Sequence, residues 1–305
     1  MRGRSSLLVL SAIGVLGVIT ASIGCNTTSG IGKDIQEMSA RTKSFIEGNE
    51  KAYPQSRGLF GDRSLEEIEY HLVWEPSGHK YTTYIIARIA GYSVERSHKF
   101  SYFSQMPDLV GDLKAIDGVS GFFLALSSEK LKIKNLLHSL HGGDPSEVIS
   151  RRSVLAKMIS ELRKADLEGW KVGLLIHAYG DAFSHITPRG GAYGAGVGHG
   201  LAGHMPDKIY RNWEKYETFT RSLYRILSGD NSDENQADLE QFFSKAKGGI
   251  FFEGITEEVV MQEHAEDLGF NEEFFNDAKG VITSEHVFLY MNEMERRFKE
   301  FEYDF

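Results

Sequence analysis

From His79 to the C-terminus, apolar residues recur at helical spacing in one segment after another, and this limits the fold more than any other feature of the chain. The segments are "HKYTTYIIARIAGY", "SVERSHKFSYFSQM", "SEKLKIKNLLHSLH", "PSEVISRRSVLAKMISELRKA", "DLEGWKVGLLIHAYGDAFSHI", "PDKIYRNWEKYETFTRSLYRILSG", "ADLEQFFSKAK" and a last one running to about Glu300. Stop signals agree with this division: Gly91 follows one run, Thr187-Pro188 another, and Pro145 and Pro206 stand near helix starts. Strand-like alternation is scarce, no internal repeat is present, and the one low-complexity stretch is "GGAYGAGVGHG". With 305 residues and 41% hydrophobic content the chain can bury a substantial core. The expectation is an all-α fold, a single multi-helix domain over residues 62–305.

One of these segments is unusual in what it buries. His177, Asp181 and His185 are spaced four apart in a run that also carries Val172, Leu174, Leu175, Ile176 and Phe183. Each step of four turns only about 40° around a helix, so the three form a polar stripe along one side. Imidazole nitrogens and a carboxylate in that register suit a borderline metal such as zinc, with the aspartate able to bridge two ions. The plainer alternative is a hydrogen-bonded polar stripe in which Asp181 only orients a histidine.

Further ligand-type residues surround this helix in the sequence. His199, His204 and Asp207 follow the glycine-rich stretch, whose glycines allow the backbone to swing these groups back toward the stripe. His79 opens the first helical segment, Asp108 closes "SYFSQMPD", and His138 and His141 end "NLLHSLHGGDP". His71, His98, His264 and His286 lack comparable partners and read as ordinary surface or core histidines. "GHGLAG" fits the dinucleotide-binding spacing but has no preceding strand. Tyr193 is a candidate for shaping the entrance to a site, or a simple connection.

The N-terminus reads as an export signal. Arg2 and Arg4 precede the apolar run "LLVLSAIGVLGVIT", too short for a convincing spanning helix. "ASIGC" then places the sole cysteine, Cys25, where a bacterial lipobox has it, with Ser22 in place of the usual leucine. The expected organisation is a lipoprotein-type signal peptide over 1–24, a polar tether over 25–61 and the helical domain after it. Attachment to the bacterial cell envelope through lipid follows, with a secreted or periplasmic form as the fallback. A single cysteine leaves no internal disulfide, and stability must come from the core or from metal. The net charge of -9 disfavours unspecific binding to nucleic acid.

Taken in order, the helix opening with His79, the ending "SQMPD", the helix "HAYGDAFSH" and the later "GH-x-PD" resemble the zinc-dependent phospholipase C and fungal single-strand nuclease superfamily, nearest to a bacterial branch. The resemblance covers about residues 79–210. It implies a helical fold and a cluster of two or three zinc ions. It also implies that His79, Asp108, His177 and Asp181 are ligands, with Asp108 a candidate base. "HGGDP" is similar to the superfamily's "HFYDP", which favours His141 over His138. His185 and His204 resemble ligands of a further ion, with Asp207 as the acidic ligand and His199 competing with His204. The superfamily's well-studied enzymes also ligate through a free mature N-terminus, which a lipid-modified Cys25 on a tether does not supply.

The function expected is therefore a zinc-dependent phosphoric-ester hydrolase, phospholipase C-like by resemblance, acting through metal-activated water on a phosphoester substrate such as a phospholipid. The alternative is a non-catalytic metal-binding or structural envelope lipoprotein. A serine hydrolase using Ser184 beside His185 lacks the strand-turn-helix elbow such a nucleophile needs.

Overall fold

A computed structural model of the protein describes residues 77–115, 127–165, 169–194, 208–231, 233–253 and 255–302. The expected signal peptide, tether and residues 62–76 lie outside the described residues. A π-helical turn (Ser77–Tyr81) leads directly into α1 (Thr82–Ile89), followed by α2 (Val94–Leu109), α3 (Ser128–Leu136) and α4 (Pro145–Ala165). Then come α5 (Trp170–Ser184), α6 (Trp213–Ser228), α7 (Gln236–Phe251), α8 (Glu257–Asp267), α9 (Glu272–Asp277) and α10 (Ser284–Glu302). Among the described residues there is no strand, only two isolated bridges, His141 to Gly194 and Ile186 to Ala192. The architecture is all-α.

Local chemistry accounts for several helix boundaries. Ser93 caps α2 by accepting from Arg96 N at 3.3 Å, and Ser127 caps α3 by accepting from Lys130 N at 3.1 Å. At α4, Asp144 Oδ1 accepts from Ser146 N and Glu147 N while Glu147 Oε2 accepts from Asp144 N, a reciprocal box that satisfies three donors. The last segment, expected as one helical run, is instead divided into α8, α9 and α10. Gly269 (φ 91°) and Gly280 (φ 54°) take left-handed conformations between them, and Phe270 N closes the turn after α8 on Ala265 O.

The centre of the fold is α5, in which every residue except Lys171 is buried. Its closest partner is α2. A Cβ on Gly173 would lie 2.5 Å from Phe103 Cβ and 2.9 Å from Phe100 O, so the approach of these helices depends on the absence of a side chain there. α4 and α6 pack against α5 as well. The apolar core is continuous through Ile85, Phe103, Leu155, Leu174, Phe219, Leu223 and Met291. Burial on all sides means that polar residues of α2 and α5 must find partners inside the protein. Ser101 Oγ donates to Lys80 O at 2.7 Å and Thr83 Oγ1 to Ser104 Oγ at 3.0 Å.

Candidate metal centre

Six of the ionisable residues on these elements converge. His177, Asp181 and His185 project from the last turns of α5, Asp108 from the last turn of α2, His79 from the π-helical turn, and His138 from the segment just beyond α3. His79, His138, His177 and Asp181 have no exposed surface, while Asp108 is 8% exposed. Two triads, His79 with Asp108 and His177, and His138 with His177 and Asp181, each bring three candidate ligand atoms within 4.8 Å of one another. These buried groups can hold a metal ion.

Main-chain carbonyls decide which ring nitrogens carry hydrogen. His177 Nδ1 lies 2.8 Å from Ser104 O, and His138 Nε2 lies 2.9 Å from Leu113 O. A carbonyl only accepts, so each of these nitrogens donates, and in the neutral ring the other nitrogen is a bare lone pair. Those two lone pairs, His177 Nε2 and His138 Nδ1, face each other at 3.1 Å. Asp181 Oδ2 lies 3.3 Å from His138 Nδ1 and 3.4 Å from His177 Nε2. With both rings neutral, three acceptors meet there with no hydrogen among them. Such a meeting is repulsive until a proton or a cation enters it.

The spacing fits a cation. With metal–nitrogen and metal–oxygen bonds of zinc length, the vertices of a tetrahedral site stand about 3.3 Å apart. Asp108 Oδ1 lies near the same point, 3.7 Å from His177 Nε2 and 3.8 Å from His138 Nδ1, while its Oδ2 accepts from Gln105 Nε2 at 3.1 Å. On the other side of the aspartate, His79 Nε2 is 3.0 Å from Asp181 Oδ1. Asp181 thus turns one oxygen to His79 and the other to His138 and His177, the arrangement of a bridging carboxylate. Among the described residues its partners are histidines only; no lysine or arginine reaches it.

Burial sets the protonation states. It lowers the pKa of His177 well below the ordinary imidazole value, with Asp181 opposing and His79 and His138 adding to the shift. It lowers that of His185 too, again against the pull of Asp181. Burial alone would raise the Asp181 carboxyl. Its four histidine neighbours, His185 and His177 foremost and His138 and His79 after them, outweigh it and hold it well below the ordinary carboxylate range. Neutral imidazoles beside an ionised carboxylate are the forms that ligate metal.

Space for the site is built into its neighbours. A Cβ on Gly180 would stand 3.2 Å from His79 Cε1 and 3.2 Å from Phe219 Cζ, so the bare glycine admits the His79 ring against α5. Ser139 adopts a left-handed φ of 49°, uncommon for a residue with a side chain. Its Oγ donates to Ala178 O at 2.7 Å and accepts from Arg151 Nε at 3.3 Å. That clip turns the chain so that His138 points inward immediately after α3 ends.

Not every expected ligand is in the cluster. His138, not His141, enters it: neither triad contains His141, which is half-buried with its Nδ1 accepting from Gly143 N at 3.2 Å. The distinction has a sequence signal, since His138 stands among Leu136, Leu137 and Leu140 whereas His141 is followed by "GGDP". His185 lies beside the cluster, its Nδ1 donating to His138 O at 2.8 Å and 3.5 Å from Asp181 Oδ2. His199, His204 and Asp207 lie outside the described residues. The chain does begin to double back as the glycines allow. Thr187 N bonds to Gly191 O, Tyr193 N to His185 O and Ala192 N to Gly143 O, with a left-handed Gly190 (φ 86°) in the turn. Tyr193 itself packs in a small buried cluster with Ala115 and Leu140. Ser184 Oγ faces Asp181 O at 3.5 Å rather than an imidazole.

No protein family, curated protein or solved structure matches this chain.

Proposed function

We propose that the protein is a zinc-dependent phosphoric-ester hydrolase, with His138, His177, Asp181 and Asp108 around one ion and His79 at a neighbouring position across Asp181. The observation that carries metal binding is the meeting of His177 Nε2, His138 Nδ1 and Asp181 Oδ2 within 3.1–3.4 Å, all three being acceptors. The choice of zinc follows from a donor set of imidazole and carboxylate at tetrahedral spacing. Bound zinc supplies a water of lowered pKa and a positive centre for phosphate oxygens. Asp108, the most exposed member of the cluster, is the residue placed to take a proton, with Gln105 holding its second oxygen. The phosphoester substrate class rests on the resemblance in motif order, which also supports a phospholipase C-like helical type, two or three ions, and lipid attachment at Cys25 beside a membrane.

A second reading, a structural zinc site in an envelope lipoprotein, is favoured by the complete burial of His138, His177 and Asp181. Structural zinc sites are closed by four protein ligands, whereas catalytic sites keep one position open. Elemental analysis of the purified protein together with hydrolysis of bis-(p-nitrophenyl) phosphate separates the two. Metal with turnover that is lost on chelation supports the hydrolase. Stoichiometric metal without turnover supports the structural site, and absence of metal after incubation with zinc sinks both.

A further inference from the structure

One buried histidine plays no part in the metal centre and is held in a different way. His98, on the second turn of α2, is 1% exposed. Its Nδ1 lies 2.8 Å from Val94 O, and its Nε2 accepts the backbone N–H of Asn271 at 3.0 Å. The carbonyl fixes the hydrogen on Nδ1, and the amide fixes the lone pair on Nε2. Both nitrogens are therefore committed to the neutral ring, and protonation would set an N–H of the imidazolium against the N–H of Asn271.

The segment held by this contact is short and packs against the end of the turn that carries His79. Asn271 is the N-cap of α9, its side chain accepting from Glu273 N at 2.9 Å and Phe274 N at 3.1 Å. The His98 ring stacks on Phe270 with centroids 5.2 Å apart and meets Phe274 edge-on. Phe270 in turn packs edge-on against Tyr81, and Lys80 lies over Phe270, Phe275 and Tyr81 while pairing with Glu272 at 2.8 Å. Residues 268–277 thus lie against Lys80 and Tyr81, the end of the turn that carries His79. A six-residue helix has little stability of its own and depends on such docking.

We propose that His98 is an acid-released latch: protonation of its Nε2 displaces the Asn271 N–H, undocks residues 268–277 from α2, and loosens the turn that presents His79. The charged and titratable groups facing His98 are Arg88 and Tyr84 from α1 and Glu272 from α9. On its own helix, Glu95 and Lys99 pair with each other at 3.1 Å on the exposed side. Burial is the main influence holding the His98 ring neutral and lowers its pKa, with Arg88 acting in the same direction and the Val94 carbonyl and Glu272 against it. Phe270 and Phe275, now in the core, are the side chains that undocking would bring to water.

The latch is independent of whether the neighbouring cluster holds metal, and its test does not read activity. Amide hydrogen exchange of the full chain, corrected for intrinsic rates, is compared at about pH 7.5 and about pH 5, a window that spans imidazole titration. Protection within residues 268–277 should fall by at least about tenfold on acidification, a loss equal to about 1.4 kcal/mol, while α5 stays protected. His98→Gln offers an amide N–H to Val94 O and an oxygen to Asn271 N without titrating, and should make protection in that segment insensitive to the same pH change. Asp181→Asn should leave the pH response in place, which separates the latch from titration in the metal centre. Unchanged protection of 268–277 at the lower pH overturns the proposal, as does a response in His98→Gln equal to that of the unmutated chain. If His98→Gln does not fold, an NMR titration of the unmutated protein decides: the His98 ring and the Asn271 amide must shift with one midpoint, and separate midpoints overturn the proposal.

Discussion

His98 and His177 are both fully enclosed histidines on neighbouring helices, and both donate Nδ1–H to a carbonyl 2.8 Å away. They differ in what the other nitrogen meets. At His98 it meets an amide N–H, so the ring is complete as a neutral donor–acceptor pair. At His177 it meets a second bare nitrogen and a carboxylate oxygen, an arrangement that needs a positive partner. Burial alone does not mark a ligand; the polarity of the atom opposite the second nitrogen does.

The sharpest way to break this comparison is to remove the charge at the centre of the cluster. Asp181→Asn keeps shape but removes the carboxylate that lies between His79 on one side and His138 and His177 on the other, so metal content should fall to near zero by elemental analysis and any phosphodiesterase activity with it. Full metal occupancy in this variant would mean that the lone pairs of His177 and His138 do not face a cation. Next in size is the contrast between two adjacent histidines. His138→Ala should lower zinc affinity by about tenfold to a hundredfold or more by competition titration, whereas His141→Ala should leave the same site within about twofold.

A steric test follows. Gly180→Ala would press a methyl on the His79 ring and Phe219, at a cost of about 1–3 kcal/mol in denaturant unfolding. It should also weaken metal binding more than an equally destabilising change far from His79. The latch gives a smaller effect with a defined sign. Because the folded-state pKa of His98 is lowered, its contribution to stability is present above the unfolded imidazole pKa and is lost as pH falls through the lower, folded-state value. His98→Gln should flatten that part of the stability profile, measured by urea midpoints across pH. Smallest is His264→Ala. His264 is half-buried on α8 and meets Phe242 edge-on at 5.6 Å; its loss should cost about 1 kcal/mol or less and leave metal content unchanged.

Much of this arrangement is legible in the sequence, and the gaps have physical causes. The segment from Pro145 to Ala165 folds as one helix over the span its periodicity marks, because Asp144 and Glu147 define its start and no glycine interrupts it. The run ending near Glu300 is apolar at helical spacing throughout, yet Gly269 and Gly280 divide it, because a left-handed residue ends a helix without disturbing the pattern on either side. The stripe of His177, Asp181 and His185 is visible from spacing alone. The choice between His138 and His141 is only hinted at by the leucines around His138, since it is made by the left-handed turn at Ser139 and its contact with Ala178 O, 39 residues along the chain. The commitment of His98 to Asn271, 173 residues away, is invisible to local pattern.

The atoms that fix the His177 and His138 rings are the carbonyls of Ser104 and Leu113, and His185 takes its fixed hydrogen toward the carbonyl of His138. Every residue type has such an oxygen. Exchanging the side chains at 104 or 113 therefore cannot delete the groups that choose which nitrogen is bare, provided α2 and the turn after it keep their course. For the histidines the choice of nitrogen is written into the path of the main chain, and an engineer who wished to retune it by substituting neighbours would find side chains to replace only beside Asp108, at Gln105, and at the Ser139 turn. The three rings can be changed one at a time; the hydrogen each one carries can be moved only by moving the backbone it faces.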